Sequence, residues 1–385
     1  MAADLTPRFP ALDGVRALAI LLVIPHNLNL ITEPVGVFAH VLVSYLDRGW
    51  IGVQLFFVLS GFLITGILLD TRGAPDYLRS FFVRRALRIL PLYYALLIFV
   101  FVILSAAALL PPSLPRSAGT ELSYWLFFAN WYAPLHPGHG SMTHLWSLSV
   151  EEQFYLVWPL LVWRRNAREL LLLCVSIALL SLCIRALMWY AGAPTEAIYQ
   201  FSITRMDALA LGGAAAAALR LPQVPEQIAS RRRIWFAAAV ALLAIGAALT
   251  GGYATPDAPT MSFGYSLLAI VFSLLVLLAA CADDSQRQAW VAFLRLSWLR
   301  RIGKYSYAMY LLHVPLHLLL GARLLQALGL DRSTSVTVNV AYLLLGVALS
   351  YLAAAASYRL IELPFLKLKD RFTPSPRLPH GASAS

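Results

Sequence analysis

The first candidate for chemistry is His26, inside the apolar stretch PALDGVRALAILLVIPHN. It follows Arg16 by ten residues, about 15 Å along a helix axis, so its imidazole is expected deep in the membrane. Pro25 beside it removes a backbone hydrogen bond and should bend or open the helix. The imidazole is a candidate general base, although lone buried histidines are more often hydrogen-bonded structural groups. Asp13, one turn before Arg16, is most simply the N-cap of this helix.

Two adjacent carboxylates, Glu151 and Glu152, fall in the first two turns of the apolar stretch HLWSLSVEEQFYLVWPLL. Neighbouring side chains on a helix point about 100° apart, so one carboxylate can face the bundle while the other approaches the interface. A buried carboxylate can orient a neutral imidazole for proton abstraction, but Glu is also common in a first helical turn. Trp146 and Ser147 precede the pair and add to a very polar start for a membrane span.

Three arginines, Arg84, Arg85 and Arg88, lie in the stretch FFVRRALRILPLYY at one edge of a third apolar segment. Cations at such an edge are expected from membrane topology and from contact with lipid headgroups. The alternative is a binding place for a phosphorylated molecule, because guanidinium groups offer forked donors that match phosphate. Arg85 and Arg88 share one helical face, which suits that second function.

A histidine pair, His313 and His317, occurs in the stretch YSYAMYLLHVPLHLLL, with Tyr307 less than two turns before it. Histidines four residues apart can bind a metal, but no further ligands stand at a fixed spacing, so we expect no metal site. Hydrogen bonds that hold helices together are the better interpretation of His313. Arg205 and Asp207 form another polar pair within an apolar segment. We expect this pair to line one cavity in the bundle together with the polar groups named above.

Membrane-spanning helices must position these groups. The 385-residue chain is 60% apolar and only 13% charged, against roughly 25% charged in soluble domains. Segments able to cross about 30 Å of hydrocarbon are predicted at 16–31, 50–69, 89–109, 147–163, 170–189, 204–219, 234–250, 263–281, 305–321 and 336–357. The sequence therefore predicts an all-α polytopic membrane protein, with about ten helices in one lipid-embedded bundle.

The cationic residues are unevenly distributed over the connections between these segments. The formal net charge is +11, and one alternating set of connections, with both termini, carries 24 Lys and Arg against four in the other set. Because such residues collect on the cytoplasmic side, we predict that both termini are cytoplasmic. Residues 1–366 are predicted to form the membrane domain, and 367–385 a disordered cytoplasmic tail. The connection 110–146 is expected to contain a short helix or re-entrant piece.

Several functional classes are excluded or left open by these patterns. Nucleic acid is not an expected partner, because the positive charge is spread over membrane loops. Three isolated cysteines exclude a disulfide scaffold, and no Walker loop, dinucleotide fingerprint, nucleophile elbow or zinc signature occurs. We expect the first apolar segment to be a membrane span rather than a removable signal peptide. Gly52, Ser60 and Gly61 most simply permit tight helix packing. A polytopic transporter and a transmembrane group-transfer enzyme both remain compatible with the intramembrane ionisable groups.

The ordered motifs resemble the acyltransferase-3 family of integral membrane acyltransferases over residues 9 to 366. The resemblance rests on LDGVRALAILLVIPH, GVQLFFVLSGFLIT, FFVRRALRILPLYY, HLWSLSVEEQFYLVWPLL, YSYAMYLLHVPL and a closing IELP. It implies transfer of an acetyl or other short acyl group from cytoplasmic acyl-CoA to a carbohydrate hydroxyl, at a bacterial inner membrane. Acceptors in the family include O-antigen, exopolysaccharide and peptidoglycan, and some relatives acylate small molecules such as macrolides.

The resemblance also implies roles for individual residues. His26 corresponds to the family's essential histidine, the catalytic base, and Glu151 to the acid of the WSLxxE motif. Arg85 and Arg88 correspond to the motif expected to engage acyl-CoA, and Arg16 to the basic residue that precedes the histidine. We predict that Arg16 and Arg84 also take part in binding the donor. We hypothesise that Glu151 orients His26. The supporting polar residues are predicted to be Asp13, Trp146, Ser147, Glu152, Tyr307 and His313.

Overall fold

The computed structural model describes residues 9–109, 114, 117–136, 142–282, 288–330 and 335–372. Throughout this part of the chain the regular structure is helical and no strand occurs. The prediction of an all-α fold is therefore confirmed.

Ten long helices form the bundle within the described residues, and we number them in chain order. They are α1 Pro10–Leu28, α2 Ile51–Thr71, α3 Tyr77–Leu97, α4 Trp146–Val162, α5 Ala167–Tyr190, α6 Ser202–Ala218, α7 Arg232–Leu249, α8 Tyr265–Ala282, α9 Ser297–Leu316 and α10 Val336–Ser357. Eight of them, with their extensions, are long and apolar enough to cross a membrane. The other two, α4 and α6, have 17 residues each, so the number of ten spans stays a prediction.

Shorter helical segments extend or connect these ten helices. The π-helical segments are Ile98–Leu104 after α3, Thr260–Gly264 before α8, His317–Gly321 after α9 and Tyr358–Glu362 after α10. The short α-helices are Val37–Asp47, Ala118–Trp125, Ala129–Tyr132, Thr195–Gln200, Val224–Ser230, Ala289–Leu294, Ala322–Ala327 and Leu363–Lys369. The 3-10 turns are Arg48–Trp50, Ala133–Leu135, Thr143–Leu145 and Asp370–Phe372.

Helix α1 begins earlier than predicted. Pro10 occupies its first turn, where a missing N–H costs no helical hydrogen bond, and Phe9 is the N-cap. Asp13 is therefore not the N-cap; instead its carboxylate lies 3.7 Å from the Arg16 guanidinium, one turn further on. Because α1 ends at Leu28, His26 lies in its last turn. How deep His26 lies in the membrane stays a prediction.

Large apolar side chains cover the outside of the bundle. Leu172 on α5, Ile234 on α7 and Leu344 on α10 are each about two-thirds exposed. A soluble monomer rarely leaves so many large apolar groups in water, whereas a lipid-facing surface requires them. The exposed surface thus agrees with the membrane location that the composition predicts.

Close helix contacts hold the helices that surround the site. Gly61 of α2 and Gly212 of α6 leave no room for a side chain, because a Cβ would lie 1.9 Å from Leu209 O and 2.0 Å from Val58 O, respectively. A Cβ at Gly52 would lie 2.4 Å from a carbonyl oxygen of α1. The predicted packing role is thus confirmed for both glycines of α2. Ser60 instead directs its hydroxyl to Tyr155 of α4.

The final part of the chain differs from the predicted domain boundary. The helix Leu363–Lys369 continues past residue 366 and packs against α3, and the carbonyl of Phe372 accepts a hydrogen bond from Ser80. The predicted tail therefore starts too early, because this contact with α3 orders the segment. Residues 373–385 of that tail lie outside the described residues. In the connection 110–146, the predicted short helix is present as Ala118–Trp125.

Candidate functional site

A cavity of about 790 Å³ lies between α1, α2, α3, α4, α9 and the π-helical segment after α10. Most of its charged side chains are cationic. The cations are Arg16, Arg84, Arg85, Arg88, Arg300, Arg301 and Lys304, and the carboxylates are Asp13, Glu151 and Glu362. We call this space the cationic cavity. Such an excess of positive charge in a partly enclosed space favours an anionic ligand.

The four arginines predicted to engage a donor all line the cationic cavity. The Arg85 guanidinium lies 3.9 Å from the centre of the Tyr155 ring, a cation–π arrangement. Among the described residues, its Nε has no hydrogen-bond partner. Arg88 interacts electrostatically with Glu362, and Arg16 with Asp13. The structure therefore brings together arginines from α1 and α3 with part of their hydrogen-bonding capacity unused.

Glu151 lines the same cavity, next to Arg85 and Arg16. The hydroxyl groups of Ser60 and Tyr155 lie beside its carboxylate and hydrogen bond to each other. Glu152, one position further, does not line the cavity. Its Oε1 is buried without a hydrogen-bond partner in the described residues. The two carboxylates thus face different surroundings, as the 100° rotation between neighbouring helix positions predicts.

Of the remaining predicted residues of α4 and α9, Ser147 and Tyr307 line the cavity and Trp146 does not. Ser147 forms a 2.5 Å hydrogen bond with the Tyr310 hydroxyl. Trp146 is buried against the ring of Phe57, with centroids 5.8 Å apart. Tyr307 also lines the cavity and donates a hydrogen bond of 2.7 Å to Ile89 O. These contacts tie α4, α9 and α3 together around the cavity.

His26 lies outside the cationic cavity. A Cβ at Gly49 would lie 2.5 Å from its Cβ, whereas the cavity reaches along α2 only to Val53. The imidazole is therefore not among the side chains that line the cavity. The hypothesis that Glu151 orients His26 is wrong, because Glu151 lies with Arg85 and Arg16 and no contact joins it to the imidazole in the described chain.

A backbone carbonyl holds the His26 ring instead. Nδ1 lies 3.0 Å from Leu46 O, at the end of the helix Val37–Asp47. A carbonyl oxygen can only accept, so Nδ1 carries the proton, and Nε2 of the neutral ring keeps its lone pair. This tautomer leaves Nε2 able to accept a proton from a ligand.

Other polar side chains lie at the same end of the bundle as His26. His313 Nδ1 donates to Tyr310 O over 2.7 Å, and its Nε2 accepts from the side-chain amide of Asn27 at 3.0 Å. His144 Nε2 donates to Leu311 O at 3.4 Å, a carbonyl that has no helical donor because Pro315 lacks an N–H. The interpretation of His313 as a group that joins helices is confirmed, because its bond to Asn27 connects α9 with α1.

The Tyr310 hydroxyl connects this end of the bundle with the cationic cavity. It donates to His144 O over 2.6 Å and lines the cavity beside Ser147. The ring of His144 in turn lies 5.1 Å from that of His313. Tyr310 therefore lies between the cavity and the two histidines, His144 and His313.

The expectation that Arg205 and Asp207 join the cavity is wrong. Asp207 is fully buried and pairs with Arg185 of α5 at 2.7 Å. The Arg205 guanidinium lies 4.3 Å from the centre of the Tyr265 ring, and its Nη2 donates to Gln54 over 2.7 Å. Both residues face α5, α8 and α2 rather than α3 and α9, because the rotation of α6 turns them away from the cavity.

Sequence reasoning missed several residues of the cavity. The predicted segment 305–321 leaves out Arg300, Arg301 and Lys304, whereas α9 starts at Ser297 and all three line the cavity. Glu362 belongs to the IELP motif, which was the available signal for it. Within the described residues, no group of three or more His, Cys, Asp or Glu could hold a metal ion.

A bundle of ten long helices with a charged cavity and exposed apolar faces defines a multi-pass membrane protein. The sequence profile of a family described as an acyltransferase domain matches residues 9–355. The chain therefore belongs to this family, the acyltransferase-3 family that its motifs indicate.

Curated relatives agree with this assignment. Peptidoglycan O-acetyltransferase OatA of Listeria monocytogenes is 29% identical over 378 residues, covering 93% of this chain and 56% of that protein. O-acetyltransferase OatA of Staphylococcus aureus is 26% identical over 377 residues, covering 94% of this chain and 58% of that protein. The chain thus spans a little over half the length of these relatives. No solved structure matches it significantly.

Proposed function

We propose that this protein is a membrane O-acetyltransferase that moves an acetyl group from cytoplasmic acetyl-CoA to a hydroxyl of a carbohydrate, peptidoglycan or a related glycan. The observation that carries the proposal is the cationic cavity, which gathers the arginines of the family's donor motif in one place. Membership of the acyltransferase domain family and the names of the OatA relatives support the reaction type and the acceptor class.

In this proposal the cavity receives the donor. Arg85 and Arg88 bind the diphosphate of acetyl-CoA, assisted by Arg84 and Arg16, because guanidinium groups form paired hydrogen bonds to phosphate oxygens. The cavity wall becomes aromatic and apolar toward Val53, Phe56 and Tyr310, which suits the uncharged thioester end of the donor.

His26 acts as the base in this proposal. Its Nε2 accepts the proton of the acceptor hydroxyl as that oxygen bonds to the thioester carbonyl carbon. In the net reaction the O–H and C–S bonds break, the ester C–O and thiol S–H bonds form, and His26 carries the proton between them. The Leu46 carbonyl keeps the ring in the tautomer that this step requires. Glu151 acts within the cavity, beside Arg85 and Arg16, rather than on His26.

The orientation of the protein is part of the same proposal. The cavity's arginine-rich connections face the cytoplasm, where acetyl-CoA is available, and the His26 end faces the opposite side of a bacterial inner membrane. Both termini are then cytoplasmic, as the distribution of 24 against four cationic residues favours. Residues 1–366 act as the transferase unit, extended by the helix that ends at Lys369.

The test uses the purified full chain with radiolabelled acetyl-CoA and a panel of glycan acceptors, including peptidoglycan fragments. His26→Ala should reduce acetyl transfer by about 10²–10⁴-fold, the usual contribution of a general base. Acetyl-CoA binding should be retained, because His26 lies outside the cavity.

His40→Ala is the matched control. His40 is exposed and also makes an Nδ1 contact with a backbone carbonyl, Gly36 O, at 2.9 Å. It should leave transfer unchanged. Normal turnover by the His26 variant would refute the proposal, as would uptake of acceptor into vesicles without transfer of label, which would identify a transporter. Transfer only to small molecules such as macrolides would refute the glycan acceptor.

A further inference from the structure

The cationic cavity contains a second group of cations, separate from the arginines of α1 and α3. Arg300, Arg301 and Lys304 occupy the first two turns of α9 and line the cavity from that side. We call them the α9 cluster. All three are exposed, so they stand at the mouth of the cavity rather than in its interior.

The two groups of cations differ in how their charge is balanced. Each carboxylate of the cavity lies with an arginine of the first group: Asp13 with Arg16, Glu362 with Arg88, and Glu151 with Arg85. In the described chain, the guanidinium groups of Arg300 and Arg301 form no hydrogen bond or ion pair, since their contacts are those of the helix backbone. The Lys304 ammonium lies 4.4 Å from the centre of the Tyr358 ring. The uncompensated positive charge of the cavity is therefore concentrated in the α9 cluster.

The position of the cluster along α9 sets its distance from the reacting end. Tyr310, which stands between the cavity and the histidines, follows Lys304 by six residues and Arg300 by ten. These separations correspond to about 9 Å and about 15 Å along the helix axis. A ligand that reaches both places must be elongated, with strong negative charge at the end far from its reactive group.

We infer that the α9 cluster is the subsite for a phosphate monoester at the nucleotide end of the donor, the 3′-phosphate of acetyl-CoA. This inference rests on the proposed function. A phosphate monoester carries about −1.5 to −2 charges at pH 7 and three acceptor oxygens, which matches two free guanidinium groups and an ammonium. The diphosphate then lies with Arg85 and Arg88, and the thioester points toward Tyr310.

The test compares two ligands that differ only in this phosphate. Binding of radiolabelled acetyl-CoA to the purified full chain is competed with CoA and with 3′-dephospho-CoA, in detergent without anionic lipid. The unmodified protein should bind CoA about tenfold more tightly than 3′-dephospho-CoA. The double variant Arg300→Gln/Arg301→Gln should weaken CoA binding by about tenfold and leave 3′-dephospho-CoA binding unchanged, as expected for the loss of two solvent-exposed ionic contacts.

The matched control is Arg232→Gln/Arg233→Gln, which removes two exposed arginines at the start of α7, away from the cavity. It should change neither affinity. Equal weakening of both ligands by the α9 variant, or no weakening at all, would overturn the subsite. So would an effect that appears only after anionic lipid is added, which would show that the cluster binds lipid headgroups.

The two proposals fail in different ways. If CoA and 3′-dephospho-CoA bind equally while acetyl transfer proceeds, the subsite is wrong and the proposed function stands. If the unmodified protein neither binds acetyl-CoA nor transfers its acetyl group, the proposed function is wrong and the subsite falls with it.

Discussion

Replacing Gly61 with alanine tests how closely α2 and α6 must approach. The added Cβ would lie 1.9 Å from Leu209 O. Non-bonded carbon and oxygen atoms in packed interiors need about 3 Å, so the helices must separate by about 1 Å. Overpacking of this kind costs about 1–3 kcal/mol. We expect the apparent melting temperature of the detergent-solubilised protein to fall by about 2–10 °C.

The same substitution should also affect the reaction, because Ser60 precedes Gly61 and lines the cavity beside Glu151. A displacement of about 1 Å at a reacting site can lower the rate by about 10²-fold. We therefore expect acetyl transfer by Gly61→Ala to fall by about 10–100-fold, more than the loss of folded protein explains.

Gly66→Ala is the matched control on the same helix. There the nearest atom to an added Cβ is the end of the Arg220 side chain, at 3.4 Å, and alanine improves helix propensity by about 1 kcal/mol. Its melting temperature should stay equal or rise. Equal melting temperatures and equal transfer rates for Gly61→Ala and Gly66→Ala would refute the close contact.

Two further predictions concern buried and cavity charges. Arg185→Met leaves the Asp207 carboxylate buried without its ionic partner, so we expect the free energy of unfolding to fall by about 3–5 kcal/mol. Thermal unfolding of the double variant Arg185→Met/Asp207→Leu should show that this stability is recovered. Unchanged stability of the single variant would contradict a buried ion pair. Glu362→Gln keeps the acceptor for the Ser357 hydroxyl but removes the charge beside Arg88. We therefore expect acetyl-CoA to bind a few-fold more tightly at low salt, and weaker binding would instead mean that the Glu362 carboxylate holds Arg88 in place.

Much of the candidate site could be predicted from local sequence, and the failures have identifiable causes. Arg84, Arg85 and Arg88 were correctly grouped because spacing along one helix sets which side chains share a face. The predicted start of α1 at residue 16 is six residues too late, because the boundary depends on Pro10. Hydropathy detects the apolar middle of a helix more reliably than its polar ends, and the residues of the α9 cluster were missed for the same reason.

Hydropathy was sufficient for the class of fold, and the charge distribution predicts the orientation. In a bilayer the backbone must satisfy its own hydrogen bonds, so long apolar segments have little choice but to form helices. The meeting of side chains from different helices depends instead on the rotation and depth of each helix in the bundle. A single residue of rotation changes the direction of a side chain by about 100°. That geometry separates His26 from Glu151, turns Asp207 toward Arg185, and brings Glu362 and the α9 cluster into one cavity with Arg88.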